Sequence, residues 1–232
     1  MKLSIVVPCY NEAENIPLIL NRFAEVVTGD IEVVLVNNGS TDDSAALFQQ
    51  LLPSFTFARL VTVPANQGYG YGILQGLRSC ETEYLGWTHA DMQTDPNDVV
   101  KAWQIAKNAK NGKVYVKGNR KGRPLGDSFF TWGMGVFETL YMGEKLYDIN
   151  AQPNLFPKSF FDTWENPPYD FALDLYAAYM AKKQGLQVVR FPVLFPERIH
   201  GESKWNTGLK AKWKFIKRTI DFSVKLKKRG VR

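Results

Sequence analysis

The residues best suited to hold a metal ion are His89, Asp91 and Gln93, which follow a short apolar segment at residues 84–88. Alternate side chains of an extended backbone point to the same side, so these three are predicted to share one face. Mg²⁺ and Mn²⁺ accept carboxylate and amide oxygens while keeping coordination positions for phosphate oxygens. A histidine ligand favours Mn²⁺, because imidazole is softer. The spacing therefore predicts a catalytic centre that holds a divalent cation against a nucleotide diphosphate.

The same segment also has the pattern of a helix start. Asp95 precedes Pro96, and an aspartate N-cap followed by proline at the first helical position is typical of helix N-termini. A plain capping turn would explain residues 91–96 without any metal. Both interpretations hold together if Asp95 caps the helix while Asp91 coordinates a cation.

Short apolar segments alternate with amphipathic ones along the first half of the chain. Strands are predicted at residues 3–7, 32–36, 58–63 and 84–88, with helices at residues 11–27 and 41–52, and a glycine-rich segment at residues 66–76 that leads into a helix ending at residue 79. In the second half, strands are predicted at residues 113–117 and 187–194, with helices at residues 125–146 and 169–184. This alternation predicts a mostly parallel α/β sheet flanked by helices, in which ligands bind beyond the carboxyl ends of the strands.

Two further clusters lie at predicted strand ends. A nucleobase could stack on Tyr10 with Glu12 as a hydrogen-bond acceptor, although the same residues also fit a helix start with Asn11 as N-cap. The second cluster is a glycine series, Gly68, Gly70, Gly72 and Gly76. It fits either a backbone approach to phosphate or close helix–sheet packing. No GK[ST] motif follows, so it is not a Walker loop.

The composition is that of one large folded domain, with 232 residues, 45% of them hydrophobic and 13% aromatic. Two cysteines, Cys9 and Cys80, indicate no disulfide framework and favour a reducing cytoplasm. The short apolar run at the N-terminus predicts a strand and not a signal peptide. No segment approaches the roughly 20 apolar residues of a spanning helix.

Positive charge is concentrated at the C-terminal end. Residues 205–232 hold ten Lys and Arg residues against one acid, whereas the net charge of the whole chain is +6. Apolar residues recur at three- and four-residue steps in residues 208–229, which predicts a basic amphipathic helix at an anionic membrane surface. Alternatively, the apolar stripe packs onto the domain and the charges are solvated. Nucleic-acid binding is disfavoured, because the aromatic residues follow helix spacing.

Six blocks occur in order along the chain: IVVPCYNEAEN, VNNGSTDDS, NQGYGYGILQGL, HADMQTDP, GNR and RIHGESKW. Together they resemble the family 2 glycosyltransferases of GT-A fold, and more narrowly the polyprenyl-phosphate sugar synthases, such as dolichol-phosphate mannose synthase. The resemblance covers about residues 1–205. It implies a Rossmann-like GT-A domain at residues 1–205, followed by a basic amphipathic helix at residues 206–232.

The resemblance implies a donor site built from the ends of several strands. Asp91 would take part in donor binding and catalysis, and would hold Mg²⁺ or Mn²⁺ with His89 and Gln93. The remaining donor-binding residues would be Pro8, Tyr10, Glu12, Asn37, Asn38 and Gly68.

The resemblance also assigns residues to the acceptor and to the leaving group. Arg120 would contact the acceptor phosphate. Arg198 and Lys204 would lie on a loop that closes over the donor and stabilises the departing diphosphate. Taken from the residues alone, this charged loop could equally be a solvated segment.

The chain departs from the family pattern at four places. Asn37 and Asn38 replace an aspartate pair, which is expected to shift base preference because an amide both donates and accepts. His89 stands where an aspartate is usual. Trp132 occupies the position that ungapped counting assigns to a second acceptor arginine. Residues 148–154 replace a serine- or threonine-glycine-phenylalanine motif.

The implied function is inverting transfer of a hexose from GDP- or UDP-hexose to a polyprenyl phosphate, by a peripheral enzyme on the cytoplasmic membrane face. A sugar hydroxyl acceptor, in polysaccharide or glycan assembly, would instead need a carboxylate base, with Asp148, Asp170 and Asp174 as candidates. A third possibility is a nucleotide-sugar-binding module that has lost catalysis, which His89 and the asparagine pair favour. A nucleotidyltransferase is disfavoured, because the N-terminal strand–helix turn has no glycine-rich phosphate loop.

Overall fold

The computed structural model describes residues 1–122, 125–196 and 209–228. In chain order the strands and helices are β1 (Leu3–Cys9), α1 (Ile16–Val26), β2 (Ile31–Asn38), α2 (Ser44–Leu51), β3 (Ala58–Val63), α3 (Tyr69–Arg78), β4 (Tyr84–Trp87), α4 (Pro96–Lys107), β5 (Val114–Lys121), α5 (Leu125–Met142), β6 (Asn154–Pro157), α6 (Lys158–Phe161), α7 (Ala172–Lys183), β7 (Gln187–Leu194) and α8 (Leu209–Lys228).

The strands form one seven-stranded sheet in the order β3-β2-β1-β4-β6-β5-β7. Neighbouring strands pair in parallel except at β6, which runs antiparallel to both β4 and β5. The predicted mostly parallel α/β sheet is confirmed. The short strand β6 was not predicted, because four residues containing Asn154 and Pro157 carry little strand signal.

The core lies on both faces of the sheet. Alternate residues of β1 face opposite sides: Ile5 belongs to the cluster that packs α1 and α4, whereas Val6 belongs to the cluster that packs α3 and α7. Both side chains are fully buried. A strand buried on both faces has a continuous apolar sequence, which is why β1 and β2 are recognisable without alternation.

Several helices begin later than predicted. The first starts at Ile16, with Asn15 at the N-cap, so Asn11 is not a helix cap. Asn11 instead has a positive φ of 57°, and its side-chain Oδ1 accepts a hydrogen bond from the backbone N–H of Thr41 at 2.8 Å. The second predicted helix begins at Ser44, with Asp43 at the N-cap. These segments fold as turns that join the ends of β1 and β2.

The C-terminal helix α8 packs against α5 and α7. Leu226 on α8 is buried, and Phe222 is partly buried against the core cluster. Part of the apolar stripe of α8 therefore faces the domain, as the alternative interpretation of this helix required. The division of the chain at residues 205 and 206 stays a prediction. None of the helices in the described part of the chain combines the length and apolar character needed to cross a membrane.

Glu138 on α5 is fully buried where α5 meets α8. Its Oε2 lies 2.7 Å from the Ser223 hydroxyl oxygen, which in turn lies 2.9 Å from the Thr219 carbonyl. Because the Ser223 hydroxyl has a single proton, it donates either to Glu138 or to the Thr219 carbonyl. Burial raises the pKa of Glu138 to about 7, and the bond to Ser223 opposes that rise.

The free energy of unfolding is expected to fall as the pH rises from about 4.5 to about 7. Over this range the folded state keeps the Glu138 proton that the unfolded chain releases, and the contribution is lost above the folded-state pKa. The loss is on the order of 3 kcal/mol. Denaturant titrations across this pH range should show Glu138→Gln without that slope. Glu81→Gln, at an exposed position, is the control and should behave as the wild type. An unchanged slope in Glu138→Gln would contradict the assignment.

Candidate active site

The segment after β4 is not extended. The strand ends at Trp87, and Met92 has a positive φ of 58°, so the argument that His89, Asp91 and Gln93 share a face through strand alternation is wrong. The turn nevertheless brings the imidazole Nδ1 of His89 to 3.9 Å from Oδ2 of Asp91. Two of the three predicted ligands therefore meet, by a different geometry.

Gln93 is placed differently from the other two. Its backbone N–H donates to Asp91 Oδ1 at 3.2 Å, and its side-chain Nε2 donates to the carbonyl oxygen of Pro196 at 2.9 Å. The amide thus joins the turn after β4 to the segment that follows β7. A ligand role for Gln93 stays a prediction.

The His89–Asp91 pair fits a single divalent cation. Ligand distances of about 2.1 Å allow two donors on one ion to be separated by up to about 4.2 Å. Asp91 is buried, with 4% of its surface exposed. Within the described ranges no group of three or more His, Cys, Asp and Glu side chains is placed to hold a metal ion. A cation held by this pair would keep coordination positions for diphosphate oxygens.

Tyr69, the first residue of α3, contacts His89 on the side of the imidazole away from Asp91. Its hydroxyl lies 3.1 Å from His89 Nε2, and its ring stacks on Phe171 with centroids 4.6 Å apart. Gln152 Nε2 donates to the same hydroxyl at 3.3 Å. The hydroxyl therefore fixes which imidazole nitrogen faces Asp91. This contact was not predicted, because a tyrosine within a glycine series carries no signal of its partner.

Replacing Tyr69 by phenylalanine is expected to weaken Mn²⁺ binding by about 10- to 100-fold, the usual effect of losing a group that orients a histidine ligand. The ring contact with Phe171 should keep the fold intact. Binding is measured by electron paramagnetic resonance of free Mn²⁺. Tyr71→Phe on the same helix, whose ring contacts Tyr169, is the matched control. Equal affinities for Tyr69→Phe and the wild type would refute the orienting role.

The glycine series is explained by close packing. A Cβ on Gly70 would lie 2.6 Å from the carbonyl oxygen of Pro168, and one on Gly76 would lie 2.4 Å from Val6 Cγ1. Gly68 has a φ of 124°, and its carbonyl accepts from Asn38 Nδ2 at 3.0 Å. Contacts this short exclude a Cβ, which favours the packing interpretation, while donor binding at Gly68 stays a prediction.

The predicted donor residues lie at one edge of the sheet. Because β1, β2 and β4 are parallel neighbours, their carboxyl ends place Tyr10, Asn37 and Asp91 on the same side.

Asn37 is buried, and its side chain accepts a hydrogen bond from the Ser40 backbone N–H at 3.1 Å, which shapes the turn after β2. Glu12 Oε2 accepts from the Asn15 side chain at 2.6 Å. Pro8 lies near the end of β1. Contacts of these residues with a donor stay predictions.

Arg120, at the end of β5, forms a buried ion pair with Asp148. Its Nε donates to Asp148 Oδ1 and its backbone N–H to Oδ2, both at 2.7 Å, and its guanidinium lies 5.1 Å from the Phe195 ring centroid. Burial raises the pKa of Asp148, but the charge and hydrogen bonds of Arg120 outweigh it and hold that pKa below its usual value. Asp148 is therefore a poor general base.

The other two candidate bases have structural positions. Asp170 Oδ1 accepts from the backbone N–H of Ala172 at 3.0 Å, at the start of α7. Asp174 lies on α7, as predicted, and is only 1% exposed. Its Oδ1 accepts from Gln152 Nε2 at 2.9 Å.

A buried lysine lies opposite Asp174. Lys117 on β5 is fully buried, and its Nζ donates to the Ala151 carbonyl at 2.8 Å and to Asn154 Oδ1 at 2.5 Å, with Asp174 Oδ1 at 3.9 Å. Burial lowers the pKa of Lys117 to about 7, although Asp174 opposes the shift. Together with Gln152, these residues form a polar cluster behind His89 and Tyr69 that was not predicted from the sequence.

Of three further positions singled out in the sequence, the structure describes only Trp132. Arg198 and Lys204 lie outside the described residues. Trp132 lies on α5 with 62% of its surface exposed. The fourth departure, residues 148–154, forms the segment that contains the Arg120 partner Asp148 and leads into β6.

Solved structures of other proteins share the fold of this chain. The crystal structure of glucosyl-3-phosphoglycerate synthase from Mycobacterium tuberculosis with Mn²⁺, UDP and glucosyl-3-phosphoglycerate superposes with a TM-score of 0.72 at 16% identity, covering 94% of this chain and 77% of that one. A mannosyltransferase from Pyrobaculum calidifontis with GDP-Man and Mn²⁺ gives 0.67 at 18% identity, covering 93% and 60%. The chain has the GT-A glycosyltransferase fold.

The family follows from the sequence. The family model for glycosyl transferase family 2 matches residues 4–175, more than half of the chain, and the chain belongs to this family.

Two curated proteins with similar sequences have the same name. An undecaprenyl-phosphate 4-deoxy-4-formamido-L-arabinose transferase from Sodalis glossinidius is 26% identical over 226 residues, 88% of this chain and 63% of that protein. The enzyme of the same name from Pseudomonas savastanoi is 31% identical over 124 residues, 51% of this chain and 36% of that protein. The chain thus spans between about a third and two thirds of the length of these relatives.

Proposed function

We propose that the protein transfers a hexose or related sugar from a nucleotide sugar to a polyprenyl phosphate, with inversion at the anomeric carbon. The His89–Asp91 pair at the carboxyl end of β4 carries this proposal, because it offers a cation position at the edge of the sheet where β1 and β2 also end. Family membership and the names of the curated relatives support the same reaction.

On the donor side, Asp91 and His89 would hold Mg²⁺ or Mn²⁺, with Gln93 as a further ligand. The cation supplies positive charge for the diphosphate that departs. Two solved structures of the same fold contain Mn²⁺ together with UDP or GDP-Man, which supports a UDP- or GDP-sugar. Arg198 and Lys204 are proposed to add positive charge at the leaving group.

On the acceptor side, the three candidate general bases are all held in structural contacts, which favours a phosphate acceptor over a sugar hydroxyl. A hydroxyl acceptor needs a general base, but Asp148 is paired with Arg120, Asp170 starts α7 and Asp174 is buried beside Lys117. A phosphate is already ionised at neutral pH and needs no base. Arg120 is proposed to contact the acceptor phosphate while it stays paired with Asp148.

The reaction is proposed to occur at the cytoplasmic face of a membrane, where a polyprenyl phosphate presents its head group. The protein would act as a peripheral enzyme. The basic charge of α8 supports this placement, since basic helices are attracted to anionic lipid surfaces.

A donor and acceptor screen tests the proposal. UDP- and GDP-sugars are incubated with Mg²⁺ or Mn²⁺ and either a short polyprenyl phosphate or a free sugar, and both released nucleoside diphosphate and glycolipid are measured. Glycolipid formation that depends on the phosphate is the expected result. Product with the free sugar alone would identify a hydroxyl acceptor. Tight donor binding without turnover on any acceptor would identify a binding module that has lost catalysis.

A further inference from the structure

Large apolar side chains are exposed in a row along α5. Trp132 is 62% exposed and Leu140 is 79% exposed, with Val136 at 39% and Phe137 at 37% between them. Their spacing of four, five and eight residues from Trp132 places them on one side of the helix. These four residues are called the α5 surface below. Contiguous apolar patches of this kind mark interaction sites.

The opposite side of α5 is packed. Glu138 and Met142 are buried, and Thr139 Oγ1 accepts from the Leu146 backbone N–H at 2.9 Å. A Cβ on Gly135 would lie 3.2 Å from Tyr147 Cα. These contacts hold α5 in place from the side opposite the α5 surface.

Positive charge lies directly beside the α5 surface. Tyr141 joins the two regions, because its ring stacks on Phe137 with centroids 5.8 Å apart and also lies 4.7 Å from Lys227 Nζ. Lys227 donates to the Tyr141 carbonyl as well. The exposed basic residues in the described side chains of α8 are Lys217, Arg218, Lys225, Lys227 and Lys228.

The two helices present different side chains at their surfaces. Leu226 and Phe222 on α8 pack inward, so the part of α8 whose side chains are described exposes mainly charge, whereas the α5 surface exposes apolar side chains. An apolar row flanked by cations complements an anionic bilayer, in which acyl chains lie next to negative head groups. A second copy of this chain would bring the same cations together and repel.

We propose that the α5 surface inserts into the head-group region of an anionic lipid bilayer, with the basic side of α8 lying on its surface. The α5 surface is one helix thickness from the Arg120–Asp148 pair. Gly135 contacts Tyr147, and the Tyr147 ring lies 4.1 Å from the guanidinium of Arg190, which also bonds the Asp148 carbonyl. Docking would place that pair at head-group depth. The relevance of this depth to the acceptor rests on the proposed function, whereas the proposed lipid binding does not.

Flotation of the full chain with vesicles tests the proposal. Equimolar phosphatidylglycerol and phosphatidylcholine vesicles should carry the wild type, and pure phosphatidylcholine vesicles should carry less. Trp132→Ser/Leu140→Ser should bind the anionic vesicles at least about tenfold more weakly, because it removes the two most exposed apolar side chains. Lys225→Gln/Lys228→Gln should lose the preference for anionic lipid. Leu18→Ser, at a 36% exposed position on α1, should bind as the wild type.

Two further measurements separate the outcomes. Thermal unfolding should be unchanged in Trp132→Ser/Leu140→Ser, and light scattering should give a monomer for every variant. A wild type that does not float, or a double variant that floats equally well, would overturn the proposal. A dimer that the double variant dissociates would assign the surface to a second copy. Flotation without glycolipid formation in the donor screen would support lipid binding by the α5 surface and would reject only the proposed function.

Discussion

Replacing Asp91 by asparagine is expected to lower sugar transfer by about 100-fold or more, in the range found when one group that stabilises charge in the transition state is removed. Asp91 is the buried carboxylate beside His89, and the substitution removes its negative charge while keeping its shape. The affinity for Mn²⁺ should fall in parallel, and chelation of the metal should lower wild-type transfer to a similar level. Initial rates with the best donor from the screen, together with Mn²⁺ titration, measure both effects.

Asp95→Asn is the matched control for this substitution. Asp95 lies in the same segment, where it caps α4 by accepting from the Asn97 backbone N–H at 2.9 Å. Asparagine is an equally good N-cap, so this variant should keep transfer and metal binding. Transfer by Asp91→Asn above about half the wild-type rate, with Mn²⁺ affinity unchanged, would remove the metal hypothesis.

Replacing Lys117 by methionine is expected to lower the free energy of unfolding by about 3–5 kcal/mol, the usual effect of removing one partner of a buried ion pair. The substitution leaves the Asp174 carboxyl buried and removes two hydrogen bonds, to Ala151 and Asn154. Burial raises the pKa of Asp174 and Lys117 lowers it. The Asp174 pKa should therefore rise further in the variant. Denaturant unfolding at neutral pH measures the loss.

A double substitution separates the ion pair from packing. Lys117→Met/Asp174→Asn removes both charges, and the double variant should regain part of the lost free energy, because no uncompensated charge stays buried. Lys113→Met, at an exposed position just before β5, should change the free energy of unfolding by less than about 0.5 kcal/mol. Additive losses in the double variant would show that Lys117 and Asp174 do not interact.

The sheet was predictable because its strands carry strong local signals. The strands β3 and β7 begin and end where the apolar and β-branched runs do, and Asp95 caps α4 as its position before Pro96 indicates. The turns were less predictable. Asn11 fits a cap by residue type, but its hydrogen bond to Thr41 across to the next strand end decides its conformation.

The candidate site was predictable in its residues but not in its geometry. His89 and Asp91 meet through a turn with a left-handed residue at Met92, which a strand pattern cannot indicate. The supporting contacts join residues far apart in the sequence, such as Tyr69 with His89 and Lys117 with Asp174. No spacing rule connects such pairs. Their partners become known only when the strand order is known.

The strand β6 lies between β4 and β5 in the sheet, which defines where a segment of the chain can be exchanged. The chain leaves the sheet after β5, passes through α5 and returns at β6. Both ends of this segment are fixed by the sheet, since β5 and β6 pair with each other and β6 pairs with β4. An exchange of this segment between paralogues would leave the hydrogen bonds of β1, β2, β3 and β4 unchanged. A chimera joined at these two boundaries would therefore exchange α5 and its flanking loops while the rest of the sheet stays paired.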